Sequence, residues 1–148
     1  LNVIKEFITP DAAEQLLSQS FDYVVDAIDS ITPKLIFIKT AYEKKVRIIS
    51  SMGAGGKFDP TRLAVADISK THTCPFAQYV RKRLKEYKIY KGIKTVFSSE
   101  PPLKESLMMT DGTKFKKSAY GTISYLPAAF GGVCASVVIR DLIEEFKV

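Results

Sequence analysis

The run Phe21-Asp22-Tyr23-Val24-Val25-Asp26-Ala27-Ile28-Asp29-Ser30, with Pro33-Lys34 just behind it, constrains the fold of this chain more than any other stretch. Residues 21–28 are apolar almost throughout, as a strand covered on both faces by helices should be. The run then stops at a carboxylate, and Ser30 or Thr32 can cap a new helix with Pro33 in its first turn. In a parallel α/β sheet, ligands bind in the space beyond the carboxyl ends of the strands. Asp29 at that place suits a magnesium ion and the phosphates it carries, because magnesium takes oxygen ligands and keeps several waters beside one or two carboxylates. The other reading of Asp29 is an N-terminal helix cap, a common place for Asp. Asp26, inside the apolar run, is expected to be buried beside a donor, since an unpaired buried carboxylate is unfavourable.

The flanks fit an alternating pattern. Residues 2–7 read as a short strand, and Thr9-Pro10-Asp11 opens a helix with a cap, a first-turn proline and an early acid, with Leu16 and Leu17 on its buried face. Leu35, Ile36, Ile38 and Tyr42 run along the helix after Pro33, and residues 46–51 form another β-branched strand. The order β-α-β-α-β predicts right-handed crossovers and a parallel sheet. Beyond Gly56, residues 62–68 alternate like a strand with one solvated face, 75–87 form a basic helix and 93–99 a further strand. A polar loop is expected over 101–119 and a strand over 121–125. Pro127 and Gly131-Gly132 are expected to break the chain before an amphipathic helix over 133–146. The class is α/β, with parallel strands continued by antiparallel ones and helices on both faces.

At 148 residues the chain is sized for one domain, and 46% apolar against 26% charged residues argues against disorder. No apolar run approaches the roughly 18 to 20 residues that span a bilayer, so no membrane association is expected. Cys74 and Cys134 stand far apart with no Cys-x-x-Cys and the single His72, which disfavours a disulfide framework or structural zinc and favours a reducing, cytoplasmic compartment. The chain opens on Leu1 without an initiating Met or a cleavage signal, and a piece of a longer protein is expected.

The net charge of +6 is unevenly spread. Residues 1–34 hold two Lys against six acidic groups, whereas 70–94 hold eight Lys or Arg against Glu86 alone. Arg81, Lys82, Arg83 and Lys85 on the basic helix are candidates for contacting RNA phosphates, since such clusters supply sequence-independent affinity. Arg47, Lys57 and Arg62 extend the patch if they share its face, and a merely solvated helix face is the alternative. Gly53-Ala54-Gly55-Gly56-Lys57 tempts toward a phosphate loop but fails both standard patterns. Phe58 follows the lysine where Ser or Thr is needed, and it also occupies the place of the third glycine of the dinucleotide fingerprint. The bland reading is a turn allowing close backbone approach, whose amides could still line a crevice. Cys74, before Pro75 at a helix start, is either a nucleophile with a lowered pKa or a plain, partly exposed cysteine. Cys134 reads as packing and His72 as a surface loop residue.

Taken together, residues 22–30 with Lys34 resemble the second half of the ThiF/MoeB/HesA activating enzymes, relatives of the ubiquitin-activating enzymes. The segments Gly53-Ala54-Gly55-Gly56-Lys57-Phe58-Asp59-Pro60-Thr61, Val65-Ala66-Asp67-Ile68-Ser69-Lys70-Thr71, Val96-Phe97-Ser98-Ser99-Glu100 and Gly121-Thr122-Ile123-Ser124-Tyr125 are similar to the tRNA threonylcarbamoyladenosine dehydratase branch. The resemblance covers essentially the whole chain. It implies the C-terminal portion of a Rossmann-like adenylating fold, with ATP and Mg2+ as cofactors and tRNA as partner. The implied chemistry is attack of a carboxylate on the α-phosphate of ATP, then ring closure with loss of AMP. Asp29 matches the family's magnesium-ATP aspartate, and Ser30 stands beside it where more distant relatives often carry Asn. A homodimer is implied as well. The alternatives are a ThiF/MoeB-type activator of a sulfur-carrier or ubiquitin-like protein, many of which carry the paired Cys-x-x-Cys absent here, and a non-catalytic RNA-binding module. The family's glycine-rich nucleotide loop, and the Arg and Lys residues that grip the triphosphate, belong to an amino-terminal half unmatched in these 148 residues, so this stretch alone is expected to be inactive.

Overall fold

The computed structural model describes residues 1–109 and 118–145. Four strands make the central sheet: β1 (Val24–Asp26), β2 (Ile48–Ser51), β3 (Leu63–Asp67) and β4 (Lys94–Ser98), in the order β1-β2-β4-β3. β1, β2 and β4 are parallel, with Val25 beside Ile49 and Ser50 beside Thr95. β3 closes one edge antiparallel to β4, Val65 lying opposite Val96. Helix α1 (Pro10–Leu16) precedes the sheet, α2 (Ile31–Glu43) crosses from β1 to β2, α3 (Pro75–Glu86) leads into β4, and α4 (Tyr125–Glu145) ends the described chain. A small antiparallel ribbon, β5 (Leu107–Met109) with β6 (Ser118–Tyr120), stands apart from the main sheet.

Neighbouring residues of a strand point to opposite faces, and this builds two cores. Ile48 and Phe97 face Leu35, Ile38 and Ala41 of α2 and Ala77, Val80 and Leu84 of α3. Ile49 and Val96 face Leu126, Phe130, Cys134 and Val137 of α4. Helices therefore cover both faces of a mostly parallel sheet, and the α/β class expected from the sequence is what forms.

Several boundaries differ from expectation. Residues 2–7 form no strand. Leu1, Val3, Ile4 and Phe7 are exposed, and a strand there has no partner for its backbone groups among the described residues. Over 21–28, only Val24–Asp26 pair with β2, and Val25 is 48% exposed because α4 packs mainly over β2 and β4. The strand thus ends at Asp26, three residues before the predicted carboxylate. Within the loop expected over 101–119, a 3₁₀ turn at Lys104–Ser106 and β5 are present, and residues 110–117 lie outside the described residues. The strand expected over 121–125 is displaced to β6.

The helix at the C-terminus is continuous through Pro127, Gly131 and Gly132 rather than broken there. Pro127 occupies the first turn, where a missing N–H costs no intrahelical bond. Continuity also overturns the expectation about span length. Tyr125–Glu144 is 20 residues with a hydropathy of 1.6, long and apolar enough to cross a membrane by length and composition alone.

α2 and α3 end in the same way. Lys45 and Lys88 stand just past the capping residues Lys44 and Tyr87, with φ of 59° and 61°. Val46 N–H donates to the Ala41 carbonyl and Lys45 N–H to that of Tyr42, while Ile89 donates to Leu84 and Lys88 to Lys85. These are paired Schellman closures, in which glycine is the usual left-handed residue. A side chain in that conformation costs roughly 1–2 kcal/mol. Attraction of a lysine to the helix C-terminus returns only about 0.3–1 kcal/mol at low salt, so glycine is the more stable choice at both sites.

Cβ atoms built on Gly131 and Gly132 meet nothing within 4 Å. Gly131→Ala and Gly132→Ala are each expected to stabilise the fold by about 0.5–1 kcal/mol, the helix-interior difference between the two residues. Urea denaturation of each variant measures this directly.

Candidate active site at the carboxyl ends of the strands

β1, β2 and α2 meet at a buried ion pair. Lys34, in the first turn of α2, places Nζ 2.7 Å from Asp26 Oδ2, and both side chains are wholly inaccessible. The same ammonium donates to the carbonyls of Ile28 at 3.2 Å and Ser51 at 2.8 Å, which uses all three of its donors. Asp26 in turn accepts from Ser50 Oγ at 2.6 Å and Ile28 N–H at 3.0 Å. The donor that the sequence required for Asp26 is therefore present three times over. Burial pulls the Lys34 ammonium below its ordinary 10.5, against the opposing pull of Asp26 and then Asp29. Phe76 of α3 lies with its ring centroid 5.7 Å from Nζ. Burial likewise pushes the thiol of Cys134 up, with Ser51 and Lys34 among the groups acting on it.

This network shapes the turn that carries Asp29. The strand stops where Asp26 bonds back to Ile28 N–H, Lys34 holds the Ile28 carbonyl, and Asp29 emerges exposed on the next residue. Ser30, not Asp29, is the N-cap of α2, and it makes no side-chain capping bond. The helix-cap reading of Asp29 therefore falls away. Among the described residues no group of three or more His, Cys, Asp or Glu is arranged to hold a metal. A single exposed carboxylate fits a magnesium ion that takes its remaining ligands from water and nucleotide phosphates, and does not fit an all-protein cage. In that arrangement Asp29 would hold the ion, which when bound would neutralise charge on the phosphates.

The glycine loop beside Asp29 serves the protein's own packing. Gly56 has φ +70°, donates to the Gly121 carbonyl at 2.8 Å and accepts from Leu103 N–H at 2.6 Å. A Cβ on Gly55 would stand 2.6 Å from Tyr120 Cβ. The close approach read from the sequence is real, but it is to β6. Lys57 is 2% exposed, with Nζ 2.8 Å from the Gly53 carbonyl and 3.3 Å from Cys74 Sγ. It therefore joins no surface patch, and Cys74, expected to be partly exposed, is 2% exposed beneath it. Glu100 completes the loop by accepting from the N–H groups of Phe58 and Asp59. His72 is exposed, as expected, with its ring edge against Phe97.

The four candidate RNA contacts divide. Arg81 is half-buried and donates to the carbonyl and hydroxyl of Thr71, holding the turn before α3. Arg83 pairs with Glu86 at 2.9 Å and reaches Tyr79 Oη, and that hydrogen bond, with the ion pair, raises its pKa. Lys82 and Lys85 are exposed. Arg47 and Arg62 begin β2 and β3, which run in opposite directions, so they lie at opposite ends of the sheet.

A protein-family model described as the ThiF family matches residues 1–147. The chain belongs to the ThiF family. It is 36% identical over 152 residues to a protein of Bacillus subtilis named tRNA threonylcarbamoyladenosine dehydratase, covering 98% of this chain and 60% of that protein. It is 32% identical to the Escherichia coli protein of the same name, covering 98% and 60%. The crystal structure of that E. coli dehydratase, TcdA, in complex with ATP superposes with a TM-score of 0.82 at 32% identity, over 96% of this chain and 56% of that one. The AMP complex gives 0.84 at 31% identity, over 98% and 58%. The chain thus spans about 60% of the length of these relatives. The expected family and Rossmann-like fold are what the comparisons find.

The Lys34 network was missed in the sequence except for the Asp26 half of it. Lys34→Met is expected to destabilise the fold by about 3–5 kcal/mol, because it strands a buried carboxylate. The double change Lys34→Met with Asp26→Leu should recover most of that loss, and chemical denaturation of the single and double variants tests the pair.

Proposed function

We propose that this chain is the C-terminal portion of an ATP-dependent tRNA threonylcarbamoyladenosine dehydratase. The observation that carries the reading is Asp29, exposed beyond the end of β1 on a turn held by a fully buried ion pair. Support comes from the relatives' name and from the ATP and AMP complexes of TcdA. In this reaction an oxygen of the base's threonyl carboxylate attacks the α-phosphorus of ATP, the bond to pyrophosphate breaks and an acyl adenylate forms. The carbamoyl group then closes on the activated carbonyl and AMP leaves, so the base loses one water overall. Asp29 would hold the magnesium ion, which would supply charge neutralisation to the phosphates, with Ser30 next to Asp29 as the N-cap of α2. Catalysis of this kind relies on placed charge rather than on a protein nucleophile, which agrees with the burial of Cys74 under Lys57.

The location is cytoplasmic in this reading, where the tRNA and ATP are. The assembly is a homodimer. α4 supports that part, since it is apolar yet largely uncovered, with Tyr125, Ile139 and Ile143 at 47%, 56% and 50% exposed. Sedimentation of the full-length protein is expected to give a dimer, and a monomer at micromolar concentration would contradict it.

The function is tested with the full-length protein, ATP, Mg2+ and tRNA bearing the linear base. AMP and pyrophosphate should appear in step with a base lighter by one water. Asp29→Asn should lower turnover by about 100-fold or more, the scale of losing one preorganised electrostatic partner. Unchanged turnover in that variant would remove Asp29 from the mechanism.

A further inference from the structure

Among the described residues, a cluster of positive charge stands at the end of the sheet opposite Asp29. The loops entering the parallel strands β2 and β4 emerge there together, one carrying Lys44, Lys45 and Arg47, the other Lys88, Lys91 and Lys94. Between them lies a cleft of about 550 Å³ whose walls include Tyr23, Tyr42, Lys45, Arg47 and Lys94. Internal partners account for half of this charge. Lys44 pairs with Glu14 at 2.6 Å, and Lys94 pairs with Asp141, which also accepts from Tyr23 Oη at 2.8 Å. Arg47 lies over the Tyr23 ring and donates to the Asp22 carbonyl. Lys45, Lys88 and Lys91 are exposed, and no ion pair engages them among the described residues.

Lys45 and Lys88 are also the two residues held in the left-handed conformation behind α2 and α3, where glycine is the more stable choice. Helix stability does not explain a lysine at either site, still less at both. Exposed tyrosines accompany them, Tyr42 at 42% and Tyr90 at 59%. Three unengaged lysines beside aromatic rings are the chemistry of a backbone-tracking nucleic-acid surface, with charge for phosphates and flat faces for unpaired bases.

We propose that this pole of the sheet binds the sugar–phosphate backbone of the tRNA at a point remote from the base being modified. Strands of four and five residues, at about 3.3 Å each, set it roughly 15–20 Å from Asp29. That exceeds the reach of one nucleotide and lies within the length of a folded tRNA. The inference rests on the tRNA reading above and adds where the RNA is gripped. It moves the main grip from the α3 residues Arg81 and Arg83, which have internal partners, to the two crossover loops.

The test compares the full-length protein with its K45G/K88G/K91Q variant by fluorescence anisotropy on tRNA, across 50 to 200 mM KCl (roughly the range over which phosphate neutralisation shows in the affinity). Affinity should fall about tenfold or more. The slope of log K against log salt should shrink by about two to three, close to one for each phosphate that no longer meets a lysine. The melting temperature should stay level or rise, because glycine suits both left-handed sites. Equal affinity and slope in the variant overturn this proposal while the tRNA reading stands. A wild-type protein that does not bind tRNA overturns both. If the variant loses polyglutamate and keeps tRNA, the surface serves an acidic protein and the RNA assignment fails.

Discussion

Lys34 and Asp26 form an ammonium–carboxylate pair with no access to water, and four elements of the fold converge on it. The lysine comes from α2, the carboxylate from β1, the Ser50 hydroxyl and Ser51 carbonyl from β2, and the ring over the ammonium from α3. Such a pair adds little net stability over an apolar replacement, yet leaving one member alone is strongly unfavourable. Its value here is geometric. Every donor of the lysine is used, so the register of β1 against β2 and the pitch of α2 are specified together. The turn between them has one arrangement that satisfies all the bonds, and Asp29 stands on that turn.

The two ends of the sheet are chemically distinct. At the carboxyl ends of the strands two lysines are buried, Lys34 on Asp26 and Lys57 on the Gly53 carbonyl and Cys74, while Arg62 is exposed and donates to the Ser99 carbonyl. Asp29 also faces outward there, with a carboxylate that can hold a cation but cannot itself attract phosphates. At the amino ends the cations face water from two loops and the carboxylates are engaged by Lys94 and Gly92, as Asp141 and Asp67 are. This polarity follows from topology. Parallel strands place all their crossover loops on the same two edges, so lysines distant in sequence meet at one pole.

Much of the scaffold was legible because it depends on local periodicity. The apolar run before Asp29, the capped helices and the basic α3 all appear near their expected places. The requirement that Asp26 be buried and paired followed from the energy of a lone carboxylate in an apolar strand. The misreadings share a cause. Residues 2–7 carry a strand pattern but find no strand to pair with, and Pro127 reads as a breaker unless its place in the first helical turn is known. The glycine loop had the composition of a ligand cradle, and only its approach to Tyr120 and Leu103 reveals that its closeness is internal. Lys57 and Arg81 looked like surface charges because a sequence does not record which long side chains fold back onto carbonyls.

By itself the sequence determined the α/β class, the family, the carboxylate beyond the first parallel strand and the surplus of positive charge in the second half. Those follow from residue type and spacing along one dimension. Tertiary structure alone decided that the strand ends at Asp26 rather than Asp29, that Lys34 is buried as the counter-charge, and that Asp29 is no helix cap. It also decided where the charge goes. The lysines of two crossover loops, more than forty positions apart, become neighbours because parallel strands return the chain to the same edge each time. The arginines of one helix, two positions apart in sequence, are drawn off by Thr71 and Glu86.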